Sequence, residues 1–193
     1  MKVAIIIIVF VLATLVVLYF VLIGNTDRSE PKIIKLDQPV YVIGLEINTD
    51  DKAIYQDVSK VANQFNAIKK SYPIPYLKEP WASINISKNY NPVTKTFTYI
   101  VGDVVNLVDS IPPGLKSYEI SPLTYAVFPI RPKSKIAWGI TMARMKKFIY
   151  TEWLPNSDYH PSELFGEFEL HDESSLGKHP EVNLHVAIKE KEK

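Results

Sequence analysis

Phe168-Glu169-Leu170-His171-Asp172-Glu173 alternates apolar and polar side chains. The alternation predicts a β-strand with Phe168 and Leu170 on one face and Glu169 and His171 on the other. A carboxylate in such a short strand, close to aromatic residues, is either an exposed edge residue or a charge held in a binding site. The elements that surround the strand decide between these two interpretations.

The strand belongs to the second of two similar halves of the chain. Apolar patterns there predict strands over residues 118–120, 123–130, 167–173 and 182–189. Residues 134–153 are predicted to form a helix, because apolar residues recur at helical spacing: Trp138, Met142, Met145, Ile149 and Trp153. We expect this stripe to belong to the core rather than to a ligand surface.

The first half has the same order of elements. Strands are predicted over residues 39–48, 81–87 and 96–105, and a helix lies after the first of them. The apolar residues of that helix also recur at helical spacing: Ile54, Val58, Val61, Phe65 and Ile68. The predicted fold class is therefore α+β, with two pseudo-symmetric β-α-β-β units that form one antiparallel sheet with two helices on one face. The other face is left for a cover or a ligand.

Residues 3–23 are uncharged and almost entirely apolar. A helix of this length spans the ~30 Å hydrocarbon layer of a bilayer. The run has no small-residue cleavage pattern, and the chain has no cysteine for lipid attachment. We therefore expect residues 1–24 to form an uncleaved, single-pass transmembrane helix that contacts the lipid bilayer through residues 3–23. Basic residues are more numerous after the helix than before it, which favours a cytoplasmic domain.

The rest of the chain divides into a linker, a domain and a tail. Residues 25–38 are mostly polar and include Pro31, which predicts a linker. The domain is predicted over residues 39–189, and residues 190–193 form a charged tail. The chain has 22 Lys and Arg against 21 Asp and Glu. Its one basic cluster, Arg144 with Lys146 and Lys147, is expected on the exposed face of a helix, so no nucleic-acid partner is expected.

Five motifs occur along the domain in a fixed order: Phe97-Thr98-Tyr99-Ile100-Val101-Gly102-Asp103-Val104-Val105, Ile111-Pro112-Pro113-Gly114-Leu115, Tyr125-Ala126-Val127-Phe128, Glu152-Trp153-Leu154-Pro155-Asn156-Ser157 and Phe168-Glu169-Leu170. This ordered set resembles the GyrI-like small-molecule-binding domain, the effector-binding module of AraC-type and multidrug-responsive transcription activators. The resemblance covers residues 39–189. It implies two pseudo-symmetric halves and a cleft in which aromatic residues surround one glutamate and receive lipophilic, often cationic, ligands.

The resemblance also implies which residues bind the ligand. Glu169 matches the central glutamate, and tyrosines of the family are replaced by histidines at two positions near the expected pocket floor. The predicted ligand-binding residues are Glu169, Tyr99, Tyr125, Trp153, His171 and His185. A glutamate buried among aromatic rings is expected to have a raised pKa until a lipophilic cation pairs with it.

The function predicted on this basis is a membrane-anchored sensor or sequestering protein for lipophilic, cationic small molecules, with no cofactor. Two alternatives stay open. Some relatives of the domain hydrolyse strained electrophilic rings with a tyrosine and a glutamate, a role that Glu169 could share with Tyr125 or Tyr99. A membrane-tethered protein-interaction module is the other alternative. A metal site at Glu169, His171 and His185 is not expected, because their spacing alone does not make three ligands converge.

Overall fold

The computed structural model describes residues 2–22, 28–134, 137–177 and 180–192. Within these ranges the helices and strands follow one another as α1 (Lys2–Leu22), β1 (Lys32–Lys35), β2 (Val40–Asp50), α2 (Ile54–Ser71), β3 (Ser83–Lys88), β4 (Thr96–Val105), β5 (Lys116–Ile120), β6 (Thr124–Ile130), α3 (Trp138–Phe148), a π-helix (Ile149–Trp153), a helical turn (Leu154–Asn156), β7 (Tyr159–Pro161), β8 (Glu167–His171), a 3₁₀ turn (Glu173–Leu176) and β9 (Val182–Glu190).

The nine strands of the described ranges form one antiparallel sheet in the order β1-β6-β9-β8-β3-β4-β2-β5, and β7 pairs with β9. From the centre outward, the first half contributes β3, β4 and β2, and the second half contributes β8, β9 and β6. The two halves therefore repeat one strand order on either side of the β3–β8 junction. The predicted α+β class with a large antiparallel sheet is confirmed.

Both long helices of the domain lie on one face of this sheet. Residues opposite each other in antiparallel strands have side chains on the same face, and one such row crosses five strands through Val101, Asn85, Glu169, Leu184 and Phe128. On this face α2 packs Val61 and Phe65 against a cluster that includes Val101. Helix α3 packs Met145 against a cluster that includes Phe128. Glu169 therefore lies beneath the space between two separate apolar cores.

The opposite face carries neither α2 nor α3, and its side chains are buried nevertheless. Phe168 belongs there to a cluster with Ile86 and Ala187. Ile34 of β1 and Tyr118 of β5 pack against the same cluster, although β1 and β5 stand at opposite ends of the strand order. The sheet must therefore curve, and by curving it covers the face that the sequence left for a cover or a ligand.

Residues 28–35, which the sequence predicted to be linker, are part of the domain structure. Residues 32–35 form β1, which pairs with β6. Arg28 forms a 2.9 Å ion pair with Glu152, and Glu30 accepts a 3.1 Å hydrogen bond from Trp153 Nε1. The linker prediction is therefore wrong for these residues, because a four-residue strand is too short for a readable alternation.

The helix predicted over residues 134–153 is α3 followed by a π-helix, and residues 135–136 lie outside the described residues. In α1 the side chains are described over residues 5–20, and they are exposed. Among the described residues, no helix was found that is long and apolar enough to cross a membrane. The predicted transmembrane helix is therefore not supported by the structure.

Strands β2 and β4 approach each other closely where Gly44 faces Gly102. A Cβ added to Gly102 would lie 2.6 Å from Val42 Cγ1 and 2.8 Å from the carbonyl oxygen of Ile43. We expect Gly102→Ala to lower the free energy of unfolding by about 1–3 kcal/mol, because β2 would have to move away.

Gly139→Ala is the matched control, because a Cβ added to Gly139 would meet the Tyr55 ring at an ordinary contact distance of 3.6 Å. Alanine also favours helix formation over glycine, so this variant should be neutral or slightly stabilised. Urea unfolding followed by circular dichroism measures both variants. Wild-type stability of Gly102→Ala would contradict the close approach of the two strands.

Candidate functional site

Strand β8 turns Glu167, Glu169 and His171 toward the helices and Phe168 toward the opposite face, as alternation requires. β8 lies between β9 and β3 near the centre of the sheet, and Glu167 and Glu169 are each only 7% exposed. Glu169 is thus a buried residue of a central strand, and the interpretation of an exposed edge residue is wrong. Two buried carboxylates side by side need hydrogen bonds and a cation to stay charged.

Helix α3 supplies the cation. Lys146 Nζ lies 2.6 Å from Glu167 Oε1 and 3.8 Å from Glu169 Oε1. Tyr150, in the π-helix that continues α3, donates a 2.8 Å hydrogen bond to Glu167 Oε2. Both oxygens of Glu167 are therefore bound by short contacts. Such π-helical segments occur often at functional sites.

The second carboxylate has weaker partners. Asn85 Nδ2 of β3 donates a 3.3 Å hydrogen bond to Glu169 Oε2 and lies 3.1 Å from His171 Nε2. The His171 ring nitrogen is itself 3.8 Å from Glu169 Oε2. Above it lies the half-buried ring of Trp138, with its centroid 6.0 Å from that of His171. Glu169 thus has an amide and an imidazole beside it, and the indole lies against the imidazole.

Opposing influences determine the protonation of this cluster. Burial is the strongest influence on Glu169 and would raise its pKa, but His171, Lys146 and Asn85 together outweigh it, so the pKa of Glu169 is lowered. The raised pKa expected from the sequence is therefore wrong, because these three neighbours together favour the charged carboxylate. Burial would lower the pKa of Lys146, but the charges of Glu167 and Glu169 raise it.

The structure brings Tyr99 to the same face. Tyr99 is opposite Ser87, which is opposite Glu167, so the three side chains form one row. Burial and the charges of Glu169 and Glu167 raise the pKa of Tyr99 well above its usual value, so that its hydroxyl stays protonated. Of the six predicted ligand-binding residues, Glu169, Tyr99 and His171 are therefore close together.

Tyr125 and His185 lie on the opposite face of the sheet. His185 is opposite Phe168, and the two rings stack with centroids 4.2 Å apart. The Tyr125 ring meets Phe168 edge to face at 5.3 Å, and its hydroxyl donates to the carbonyl of Ser121. The proposed acid–base pair of Glu169 and Tyr125 is therefore wrong, and Glu169, His171 and His185 cannot converge on a metal.

Trp153 also has another role than the one predicted. It is 9% exposed and packs against Phe128 at 5.2 Å and Tyr159 at 6.2 Å between ring centroids. Its indole nitrogen donates to Glu30. Trp153 therefore joins the N-terminal segment to the core of the second half.

Sequence reasoning missed the other residues of the cluster: Glu167, Lys146, Asn85, Tyr150 and Trp138. Alternation along β8 was an available signal for Glu167, which is two residues before Glu169. Lys146 was assigned to an exposed helix face, although it follows Met142 by four residues and so lies close to the apolar stripe. For Asn85 and Tyr150 no local signal existed, because both contacts depend on strand register and on the π-helix.

Two shallow cavities are lined in part by residues of α3 or of the π-helix that continues it. The first, about 310 Å³, lies between α2 and α3 and is lined by Tyr55, Gly139, Ile140, Ala143, Arg144 and Lys147. The second, about 330 Å³, includes Tyr150 in its wall. Glu169 lines neither cavity.

Comparison with known proteins gives the family and the fold. The model of the Cass2 family, described as integron-associated effector binding protein, matches residues 32–188. The integron cassette protein VCH_CASS2 from the mobile metagenome of Vibrio cholerae has a TM-score of 0.56 and 11% identity, with 83% of this chain and 97% of that chain covered. No curated protein sequence matches the chain.

Two further solved structures share the fold. SAV2435 bound to tetraphenylphosphonium has a TM-score of 0.61 and 11% identity, over 83% of this chain and 94% of that chain. The C-terminal domain of EcmrR has a TM-score of 0.59 and 12% identity, over 83% of this chain and 96% of that chain. The architecture is therefore common to proteins with very different sequences.

Burial lowers the pKa of His185 to about 4, below the usual value of about 6.5 in an unfolded chain. The unfolded state therefore binds more protons between these values, so stability should fall as the pH falls from about 6.5 to about 4, by up to about 3 kcal/mol. His185→Phe should flatten this dependence in urea unfolding. The exposed His160→Phe is the control, and equal pH slopes for wild type and His185→Phe would contradict the assignment.

Proposed function

The chain belongs to the Cass2 family of integron-associated effector-binding proteins, and from this premise we propose that it is a sensor or sequestering protein for lipophilic cations. The ligand pairs with Glu169 beneath the space between α2 and α3. The observation that carries the proposal is a buried carboxylate whose own partners leave it incompletely neutralised.

The incomplete neutralisation of Glu169 is visible in the distances to its partners. Glu169 receives one long hydrogen bond of 3.3 Å from Asn85, and its nearest cation, Lys146, is 3.8 Å away. Glu167, by contrast, has Lys146 at 2.6 Å and Tyr150 at 2.8 Å. A buried carboxylate gains most from a cation that arrives already stripped of water, and a lipophilic cation has little hydration to lose.

Aromatic groups next to the carboxylate support the same ligand class. Tyr99 interacts with the charge of Glu169, and Trp138 lies against the neighbouring His171. An aromatic face adds about 0.5–2 kcal/mol of attraction for a cation. We assign ligand contact to Glu169, Tyr99, His171 and Trp138. Tyr125, His185 and Trp153 support the sheet and the core instead of contacting ligand.

The bound ligand of one structural neighbour belongs to this chemical class. SAV2435 was solved with tetraphenylphosphonium, a monocation enclosed by four phenyl rings. Shared fold at 11% identity does not transfer a ligand by itself. Together with the buried negative charge of this chain, however, it makes tetraphenylphosphonium the natural first probe.

The alternatives from the sequence receive less support. Hydrolysis by Glu169 with Tyr125 is excluded by their opposite faces. Tyr99 shares a face with Glu169, so this second pairing stays an alternative, although no hydrogen bond joins these two described residues. No contact among the described residues favours a protein-interaction role over ligand binding. The near balance of 22 basic and 21 acidic residues continues to predict no nucleic-acid partner.

Membrane attachment through residues 3–23 is a separate proposal. It rests on the absence of charge in this run and on the exposed apolar side chains of α1, including Ile6 and Phe10. Attachment would hold the ligand site near a bilayer, where lipophilic cations concentrate. The excess of basic residues after the run favours a cytoplasmic domain.

We expect Glu169→Gln to weaken tetraphenylphosphonium binding by about ten-fold or more, because the variant removes the charge and keeps the shape. Isothermal titration calorimetry, or quenching of tryptophan fluorescence, measures the affinity. Glu163→Gln removes the same charge from an exposed position and should bind like wild type. Equal affinities for wild type and Glu169→Gln would exclude charge pairing at Glu169.

The attachment proposal predicts that the full chain floats with liposomes in a density gradient. Leu12→Asp with Val16→Asp should abolish flotation, because each charge in a bilayer costs about 2.5 kcal/mol or more. Val93→Asp with Leu164→Asp is the control, since both side chains are exposed apolar residues of the domain. Flotation of the first double variant at the wild-type level would contradict insertion of residues 3–23.

A further inference from the structure

Lys146 is shared unequally by the two buried carboxylates. Its ammonium group lies 2.6 Å from Glu167 Oε1 and 3.8 Å from Glu169 Oε1. The first distance is a charge-assisted hydrogen bond, and the second is an ion pair without a hydrogen bond. Lys146 is therefore committed to Glu167, and among the described residues none donates a hydrogen bond to Glu169 Oε1.

The sum of charges in the cluster follows from these contacts. Glu167 and Glu169 contribute two negative charges, and Lys146 contributes one positive charge. Tyr99 and Tyr150 are neutral phenols. The two carboxylates and Lys146 therefore sum to one negative charge, which resides on Glu169 because Lys146 is bound to Glu167.

We propose that Lys146 determines the charge selectivity of this site, restricting it to monocations by neutralising Glu167 from within. This inference rests on the proposed function, in which Glu169 pairs with a lipophilic cation. One incoming positive charge balances the cluster, whereas a dication would bring a surplus positive charge close to Lys146 in a poorly solvated place. Without Lys146, two buried carboxylates would instead require two positive charges.

A purely structural role for Lys146 would have a different signature. Loss of a packing or tethering contact would weaken all ligands alike and would leave their relative affinities unchanged. A role in charge selection changes the ratio between ligands of different charge. The ratio is therefore the informative measurement, and the absolute affinity is not.

Ethidium and propidium form a suitable pair of probes. They share one phenanthridinium ring system, but ethidium carries one positive charge and propidium carries two. We expect the full-length wild type to bind ethidium more tightly than propidium, and Lys146→Met to shift the affinity ratio toward propidium by about ten-fold or more. Fluorescence titration of each dye measures both affinities in one buffer.

Two further variants serve as controls. Lys70→Met removes the same charge from an exposed position at the end of α2 and should keep the wild-type ratio. Lys146→Arg keeps the charge and should also keep the preference for ethidium. If Lys146→Met does not fold, Glu167→Gln tests the same role in charge selection. It removes one negative charge and should shift the affinity ratio further toward ethidium.

The outcomes separate this inference from the proposed function. An unchanged ratio in Lys146→Met or in Glu167→Gln, with ethidium binding that still requires Glu169, overturns the selectivity role alone. Ethidium and tetraphenylphosphonium binding that is indifferent to Glu169→Gln overturns the proposed function, and the selectivity role with it.

Discussion

Two carboxylates buried side by side impose the constraint on which this site depends. Glu167 and Glu169 are two residues apart on β8, so both side chains point to the same face, where they repel each other away from water. Lys146 of α3 and Tyr150 of the π-helix bind the first carboxylate. The rotation of α3 about its axis is thereby tied to the strand below it, and the second carboxylate keeps a net charge.

The position of this cluster follows from how the two halves meet. Each helix covers the apolar strands of its own half, with Val61 and Phe65 of α2 on one side and Met145 of α3 on the other. Between these cores lies the β3–β8 junction, where neither helix supplies an apolar cover. Asn85 of the first half and Glu169 of the second half face each other there. Polar side chains are tolerated at the junction because they satisfy one another across it.

The curvature of the sheet explains why, in the described part of the chain, the face opposite α2 and α3 is buried. Tyr125, Phe168 and His185 form a stacked aromatic group on the second face, where both edges of the curved sheet converge. These residues stabilise the curved sheet from its own interior. The two histidines predicted to bind ligand therefore have different surroundings, with His171 beside Glu169 and His185 in an apolar core that lowers its pKa.

The sequence by itself determined the elements and the local faces. Helical spacing predicted α2, alternation placed Glu169 and His171 together, and the predicted bounds of residues 96–105 are those of β4. Only the tertiary structure decided which distant residues join Glu169. A shift of one residue in register moves every side chain of a strand to the other face. The sequence pattern therefore could not show that Tyr99 and Tyr125 lie on different faces of the sheet. The inward position of Lys146 likewise depended on how α3 packs on the sheet, because helical periodicity places residues relative to one another but does not orient them toward a partner.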